Sequence, residues 1–236
     1  QSAPQAEAAA PKAAAKPAAK KEAAPQRQAA AVKDSGDVTR EKMSPTRRAI
    51  SKAMVNSKAQ APHVTLFDEV DVTQLVAHRD RFKHIAKDQG IKLTYLAYMA
   101  KAVTAVMNKY PILNSSVDET TDEIVYKNYV NLGIAVDTDR GLFVPNIKDA
   151  NHKSVFQIAS EIGRLAEETH SGELAGNDMR DGTVTISNIG SAWGLWFTPI
   201  INFPEVAIFG MGRIEDKPVV LEDGTLGVGK VLALSL

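Results

Sequence analysis

Cysteine is absent from the 236 residues, which excludes disulfides, thiolate metal ligands and a thioester carried on the protein itself. Long apolar runs are also missing: none approaches the roughly 18 residues of a membrane-spanning helix, and the Ala-rich start lacks the apolar stretch of a signal peptide. The 28 basic and 28 acidic side chains leave no net charge, and the five histidines lack metal-ligand spacing. We therefore expect no nucleic acid, no membrane and no metal as partners.

The first part of the chain is dominated by Ala, Pro and Lys. Residues 1–33 contain 15 Ala and 4 Pro, and Val32 is their only hydrophobic residue besides Ala. Such a segment cannot bury enough apolar surface to offset the entropy of ordering it. We interpret residues 1–38 as a flexible linker that tethers another domain; the alternative is an Ala-rich helix, which the prolines would interrupt. Residues 39–236 can bury a substantial core as one domain.

Capping residues and apolar periodicity predict four helices. The first helix begins at Ser44 and Pro45, and the second ends at Gly90. Thr94 caps the third helix, which Pro111 stops. The fourth begins at the Ser154–Gln157 capping box and ends at Gly172. The inward faces of the first three helices are expected to include Ala53, Ile85 and Tyr110, respectively.

Runs rich in β-branched and aromatic residues predict the strands. These runs cover residues 62–72, 112–117, 123–127, 129–137, 142–147, 183–188, 206–213, 218–221 and 227–236. Turn residues lie at 118–122 and 222–224. Because helices and strands interleave without the even βαβ spacing of a doubly wound sheet, the order favours an α/β fold with a mixed, largely antiparallel sheet flanked by helices.

Residues 182–214 hold the strongest candidate for a site of chemistry. In GTVTISNIGSAWGLWFTPIINFPEVAIFGMGRI, Ser187 and Asn188 end a predicted strand and lead into a Gly-containing loop. On this segment alone, an ordinary buried strand and turn is the simpler interpretation. The GMGR sequence at 210–213 lacks the third glycine and the helix start of a phosphate-binding loop, and we interpret it as the end of a strand.

Four long motifs in this order resemble the catalytic domain of dihydrolipoamide acyltransferases, the core subunits of 2-oxo acid dehydrogenase complexes. They are residues 43–75 (beginning MSPTRRAISKAM), YPILNSS at 110–116, NLGIAVDTDRGLFVPNIKDA at 131–150, and 182–214. The Ala-Pro-Lys linker is also typical of the family. The likeness runs from about Thr39 to Leu236. It points to the acetyltransferases of pyruvate dehydrogenase complexes in Gram-positive bacteria. Because these complexes are cytoplasmic, the resemblance implies a cytoplasmic protein.

The resemblance implies a fold similar to that of chloramphenicol acetyltransferase, with homotrimers that assemble further into a cage and active sites between subunits. Coenzyme A and a lipoyl group carried in trans on a separate domain would enter a channel from opposite ends. Ser187 would donate a hydrogen bond to the oxyanion that forms when acetyl passes from dihydrolipoyl-lysine to coenzyme A. The partners implied are the lipoyl domain and the decarboxylase and dihydrolipoamide dehydrogenase subunits.

Other positions match the family's substrate channel. Phe197, Thr198, Pro199, Ile200 and Asn202 match the loop along which the pantetheine arm runs, and Asn188 is expected to line the same substrate channel. His63 would lie near the lipoyl end, with a structural or surface histidine as the alternative. Arg48, or its neighbour Arg47, matches an Arg that pairs with an Asp of the family's H-x-x-x-D-G motif, and a solvated helix charge is the alternative.

Two departures from the family affect these expectations. The sequence ends at VLALSL, a few residues before the H-x-x-x-D-G motif that supplies the general base, so we expect this chain by itself to be a truncated and nearly inactive catalytic domain. The second departure is Trp193, where a small residue is usual. We expect a buried indole there, either as a core or interface aromatic or as a residue that narrows the channel.

Two further interpretations remain open. The chain could be an assembly scaffold of the same fold that is catalytically incompetent because the base is missing. It could also be an unrelated mixed α/β binding module. Acetyl transfer between acetyl-CoA and dihydrolipoamide would separate the acyltransferase from the scaffold.

Overall fold

The computed structural model describes residues 36–236, and residues Met43–Leu236 form a compact unit. The predicted linker, residues 1–38, lies outside the described residues except for its last three positions. Four α-helices are present in this unit: α1 (Pro45–Gln60), α2 (Thr73–Asp88), α3 (Tyr95–Lys109) and α4 (Val155–Ser171). Among the described residues, no helix is both long and apolar enough to cross a membrane.

The predicted helix boundaries are confirmed. The Ser44 hydroxyl accepts a hydrogen bond from the Arg47 backbone N–H at 3.2 Å at the start of α1. At the start of α4, Ser154 and Gln157 make both bonds of the capping box, and Gly172 ends the helix with a φ of 87°. Thr94 does precede α3, but its side chain makes no capping hydrogen bond.

Ten strands lie in one six-stranded sheet and two hairpins. They are β1 (Phe67–Asp71), β2 (Ser115–Asp118), β3 (Glu123–Tyr126), β4 (Leu132–Ile134), β5 (Val136–Thr138), β6 (Gly141–Phe143), β7 (Asn146–Ile147), β8 (Val184–Asn188), β9 (Ile208–Val220) and β10 (Leu226–Ser235). The sheet order is β1-β10-β9-β8-β4-β7, while β2–β3 and β5–β6 form the hairpins. The β9–β8 and β8–β4 pairs are parallel and the other three pairs are antiparallel, so the prediction of a mixed, largely antiparallel sheet is confirmed.

Several predicted strand boundaries are wrong. The run 62–72 pairs with β10 only from Leu66 onwards, because the residues before it turn towards the loop around Ile201. The run 112–117 begins as a 3₁₀ turn, Pro111–Asn114, and the runs 129–137 and 142–147 each divide into two strands.

The runs 206–213 and 218–221 belong to one long strand, β9. Pro218 is tolerated inside it because β8 pairs only with the Ile208–Met211 part of β9. The proline therefore lies where β9 has β10 as its one strand neighbour. The GMGR residues do belong to a strand, but the prediction that they end it is wrong, because they lie in the first half of β9.

The core lies between one face of the sheet and the helices α3 and α4. Its buried residues include Leu132 and Ile186 of the sheet, Val103 and Met107 of α3, and Ile158 of α4. Three residues predicted on inward faces are exposed instead: Ala53, Ile85 and Tyr110. Tyr110 lies just after the end of α3, as its C-cap residue.

Candidate active site

Ser187 lies at the carboxyl end of β8, where β8 runs between the two parallel neighbours β4 and β9. Side chains alternate along a strand, so Thr185 and Ser187 share the face opposite to that of Ile186, which is packed in the core. Ser187 pairs in register with Gly210 of β9, and Gly210 pairs with Ser235 of β10. The partly buried Ser187 hydroxyl therefore lies beside a strand position that has no side chain.

The loop after β8 packs directly against the backbone of β9. A Cβ on Gly190 would collide with the carbonyl oxygen of Gly212, and a Cβ on Gly212 would collide with the carbonyl oxygen of Leu195. The side chain of Asn188 shapes the start of this loop, since its Oδ1 accepts the N–H of Gly190 at 2.9 Å. These contacts hold the loop against the strand end that carries Ser187.

A cavity of about 550 Å³ opens on the Asn188 side of the sheet. Its lining is largely apolar, and it lies between the β8 loop and the starts of α3 and the long strand β9. The lining residues are Thr94, Tyr95, Leu96, Ile162, Asn188, Gly190, Ser191, Trp193, Met211, Gly212, Arg213 and Ile214. The Thr94 hydroxyl oxygen is buried in this region and has no hydrogen-bond partner among residues 36–236.

One guanidinium group lines this cavity and a second lies against one of the lining residues. Arg213 lines it, forms an ion pair with Glu215 at 2.6 Å and also donates to the carbonyl oxygen of Trp193. Arg79 lies over the ring of the lining residue Tyr95, 4.9 Å from the centroid, and donates to the Leu93 carbonyl at 3.1 Å. The cavity thus combines apolar walls with two guanidinium groups that are each ion-paired, Arg213 with Glu215 and Arg79 with Asp80 at 3.3 Å.

Trp193 lies in the loop that borders the cavity; the prediction that its indole is buried in the core of the chain is wrong, whereas burial at an interface between subunits stays a prediction. The residue is 79% exposed in the single chain, and its backbone is left-handed with a φ of 62°. Left-handed backbone is costly for any residue with a Cβ, which explains physically why a small residue suits this position.

The loop after Leu195 covers part of the opposite face, where Ser187 lies. A Cβ on Gly210 would be 2.8 Å from the Phe197 ring, and the Phe197 N–H donates to the Ser235 hydroxyl at 3.4 Å. Thr198 is exposed, Pro199 is buried and Ile200 is half-buried. Loop 197–202 therefore borders the Ser187 face, whereas Asn188 and Trp193 border the cavity on the other side.

His63 holds this loop in place. Its Nδ1 lies 2.7 Å from the Ala61 carbonyl oxygen and therefore carries the proton, while its Nε2 accepts the Ile201 N–H at 3.0 Å. Both ring nitrogens are thus engaged in backbone contacts, which is the geometry of a structural histidine. His63 and Ile201 also line a small apolar cavity of about 170 Å³. Arg48, by contrast, is exposed on α1 and lines none of the cavities described here.

Glu205 lies within the 182–214 motif, but the sequence analysis assigned it no role. It is 4% exposed, and its carboxylate accepts hydrogen bonds from the Thr185 hydroxyl at 2.7 Å and the Asn202 side-chain amide at 2.9 Å. Burial raises the pKa of Glu205 from 4.5 to about 7, although both hydrogen bonds oppose the shift. The one available signal was an acid between Pro204 and an apolar run.

The remaining histidines are not gathered around Ser187. His78 lies 2.9 Å from the Tyr98 hydroxyl, and the Nε2 of His152 lies 3.2 Å from the side-chain amide of Asn151. His84 and His170 are exposed on helices. In the part of the chain that the structure describes, no group of three or more His, Asp or Glu side chains could hold a metal ion.

A model of the 2-oxoacid dehydrogenases acyltransferase catalytic domain matches residues 35–236. The chain therefore belongs to this acyltransferase family, as its motifs indicated.

Two curated bacterial relatives make the relationship more specific. The chain is 60% identical over 198 residues to the dihydrolipoyllysine-residue acetyltransferase component of the pyruvate dehydrogenase complex of Bacillus subtilis (strain 168), covering 84% of this chain and 45% of that protein. It is 57% identical over 209 residues to the component of the same name from Staphylococcus aureus (strain N315), covering 88% and 48%. The chain thus spans about half the length of the curated relatives it matches.

Solved structures agree with this assignment. A dihydrolipoamide acetyltransferase from Azotobacter vinelandii, studied for the role of a serine, a histidine and an asparagine in its catalytic mechanism, superposes with a TM-score of 0.82 at 36% identity, covering 85% of this chain and 82% of that one. A probable dihydrolipoamide acetyltransferase from Listeria monocytogenes gives 0.80 at 35% identity, covering 84% of each chain. The predicted fold class is thereby confirmed.

Proposed function

We propose that this chain is the catalytic core of a dihydrolipoyllysine acetyltransferase, which exchanges an acetyl group between a dihydrolipoyl arm and coenzyme A in a bacterial pyruvate dehydrogenase complex. The observation that carries the proposal is the position of Ser187 and Asn188. They end a strand between a largely apolar cavity of about 550 Å³ on one face and a loop-bordered surface on the other. Two substrates can therefore reach the same strand end from different sides.

Coenzyme A suits the cavity beside Asn188. Its pantetheine arm is long and narrow, and its amides need a few polar partners within an apolar slot. The buried hydroxyl of Thr94 offers one such partner. The nucleotide phosphates would leave the cavity near Arg213 and Arg79 and would compete with Glu215 and Asp80 for them, since guanidinium groups bind phosphate well.

The lipoyl arm would approach from the Ser187 face, past loop 197–202 and His63. The family resemblance assigned both Asn188 and loop 197–202 to the channel for coenzyme A. In the arrangement proposed here, Asn188 contacts coenzyme A and loop 197–202 contacts the lipoyl arm. It follows from the alternation of side chains along β8, which directs Ser187 and Asn188 to opposite faces.

The proposed chemistry is an exchange of one thioester for another. The dihydrolipoyl thiol loses its proton and attacks the acetyl carbonyl carbon of acetyl-CoA, and the tetrahedral intermediate then expels the coenzyme A thiolate; the physiological direction is the reverse. Ser187 would donate its hydroxyl hydrogen bond to the oxyanion, a contribution of roughly 3 kcal/mol in a dry site. No covalent bond to the protein is required.

The general base is proposed to be the His of an H-x-x-x-D-G motif, which residues 1–236 do not contain. The engagement of both His63 nitrogens by the backbone supports this view, because it leaves His63 no free basic nitrogen. The same observation favours the second candidate function, a scaffold of this fold that is inactive by itself.

Larger assembly is also part of the proposal. Residues 39–236 would form the acyltransferase domain behind the linker, in homotrimers that build a larger cage in the bacterial cytoplasm. The partners would be lipoyl domains, the decarboxylase and dihydrolipoamide dehydrogenase. The relatives named as components of the pyruvate dehydrogenase complex support these partners.

The test begins with coenzyme A binding, which does not depend on the base. Isothermal titration should give measurable affinity for this chain, and Thr94→Val should weaken it about fivefold or more, since a hydrogen-bond partner is lost. Thr121→Val, at an exposed position in the turn between β2 and β3, is the matched control and should leave the affinity unchanged. The absence of binding at millimolar coenzyme A would refute the assignment of the cavity.

Transfer is then measured from acetyl-CoA to dihydrolipoamide, both for this chain and for the chain continued through an H-x-x-x-D-G segment. We expect the continued chain to be at least 100-fold more active, because a general base typically contributes ~10²-fold or more. Ser187→Ala should lower its kcat by about 10²–10³ without weakening coenzyme A binding. Activity that survives this substitution would exclude Ser187 as the oxyanion donor.

A further inference from the structure

A buried carboxylate joins two parts of the candidate site that are distant in sequence. The Glu205 carboxylate accepts hydrogen bonds from the Thr185 hydroxyl in β8 and from the Asn202 side-chain amide. Asn202 lies in loop 197–204, which is loop 197–202 with the two residues that follow it. Thr185 lies two residues before Ser187 on the same face of the strand. The loop has its other end at Phe197, which packs on Gly210, the register partner of Ser187. The carboxylate therefore connects the loop to the strand that carries the proposed oxyanion donor.

The surroundings leave this carboxylate little freedom to move. A Cβ on Gly182 would lie 3.1 Å from Oε1 of Glu205 and 2.5 Å from Oδ1 of Asn146, so both oxygens converge on the space that the missing side chain leaves. The Asn146 amide is held by a bond from its Nδ2 to the Asp178 carbonyl at 3.0 Å. The Glu205 side chain is thus confined by a glycine and by an anchored amide.

The charges near Glu205 are few. Glu205 lines a cavity of about 390 Å³. Lys127, Asp181 and the hydroxyl-bearing Tyr129 line the same cavity. The groups that favour the ionised form of Glu205 are the two neutral donors Thr185 and Asn202. Asn146 Oδ1 has no hydrogen-bond partner among the described residues, so it is available to accept a hydrogen bond from the O–H of the neutral form of Glu205.

We propose that Glu205 is a positioning residue that holds loop 197–204 against β8 and so shapes the side of the site that receives the dihydrolipoyl arm. The inference rests on the proposed function for the identity of that arm, and on geometry alone for the link between loop and strand. Glu205 does not touch the reacting atoms. It acts through Asn202 and Thr185.

The link is tested first by a spectroscopic signature. In the ¹⁵N-labelled chain, the side-chain amide resonances of Asn202 should shift with pH with a midpoint near that of Glu205, about 7. Glu205→Gln should abolish the titration and speed amide hydrogen exchange at residues 201–202. Asp181→Asn, which alters an exposed carboxylate of the same cavity, should change neither. An unaltered Asn202 titration in Glu205→Gln would overturn the inference.

The functional consequence is tested by steady-state kinetics of the chain continued through an H-x-x-x-D-G segment. Glu205→Gln should raise KM for dihydrolipoamide about tenfold, the effect of losing one hydrogen bond to a charged group, while KM for acetyl-CoA stays within about twofold. Equal rises in both values would indicate a general structural defect and contradict a positioning role. If Glu205→Gln fails to fold, the pair Thr185→Val and Thr185→Ser replaces it: serine should restore the dihydrolipoamide KM that valine impairs.

Failure of the proposed function can be told apart from failure of this inference. If no variant transfers acetyl groups, the function is wrong, and the Asn202 titration and hydrogen exchange alone decide whether Glu205 holds the loop. If transfer occurs but Glu205→Gln matches Asp181→Asn in every measurement, the function stands and the positioning role is refuted.

Discussion

The imidazole of His63 accepts the backbone N–H of Ile201 at 3.0 Å, across 138 residues of sequence. The carbonyl of the same residue accepts the Ser57 hydroxyl at 2.5 Å. Both backbone groups of Ile201 are thus held by side chains from α1 and from the segment that follows it. Loop 197–204 therefore depends on the N-terminal part of the domain for its position.

Replacing His63 should destabilise this loop. His63→Ala leaves the Ile201 N–H without its acceptor, and we expect the free energy of unfolding to fall by about 1–3 kcal/mol. His84→Ala, an exposed histidine on α2, is the control and should change it by less than about 0.5 kcal/mol. Urea denaturation measures both, and equal stabilities of the two variants would contradict a structural role for His63.

The buried Glu205 should make stability depend on pH. Its pKa is raised in the folded state, so the folded protein binds the proton more tightly than the unfolded chain does. The resulting stabilisation is fully present below pH 4.5 and is lost as the pH rises through about 7. Between pH 4.5 and 8, the wild type should therefore lose about 3 kcal/mol more stability than Glu205→Gln. Denaturant unfolding across this range provides the measurement, and parallel curves for the two proteins would show that Glu205 titrates normally.

The space at Gly182 should tolerate no side chain. An alanine Cβ there would lie 2.5 Å from Asn146 Oδ1 and press on Glu205, so we expect Gly182→Ala to destabilise the fold by about 1–3 kcal/mol. Gly163 offers a matched contrast, because it lies within α4 with open space around its Cα. Gly163→Ala should stabilise by about 0.5–1 kcal/mol, the usual gain in a helix. Thermal denaturation of the pair decides the matter: a neutral Gly182→Ala would mean that the cluster can rearrange.

Two substitutions at Trp193 separate the indole from the backbone. Alanine removes the indole and keeps the cost of a Cβ at positive φ, whereas glycine removes both. We expect Trp193→Gly to be more stable than Trp193→Ala by about 1 kcal/mol. Calorimetric melting of the two variants measures the difference, and a more stable alanine variant would argue against a left-handed residue in solution.

Much of the fold could be predicted locally. The Ser154–Gln157 capping box, the Gly172 stop and the strand ending at Ser187 depend on hydrogen bonds and periodicities within a few residues. Such signals are present in the sequence wherever the segment folds. The margins of the helices were harder, and Tyr110 was wrongly expected inside, because burial there depends on which element lies opposite.

The candidate site divides in the same way. Ser187 was found because a long family motif surrounds it; its residue type and strand position alone did not distinguish it from an ordinary turn. Glu205 lies in the same motif but drew no attention there, because its importance follows from partners 3 and 20 residues away that only the folded chain brings to it.

The sequence by itself determined the helices, the mixed sheet and the family, because capping, periodicity and long motifs are properties of contiguous residues. Only the tertiary structure decided that Asn188 faces a cavity while Ser187 faces a loop, that Trp193 points outwards, and that a buried acid joins that loop to β8. The physical reason is that burial, close backbone approach and a raised carboxyl pKa arise from contacts between distant segments, which no local pattern encodes.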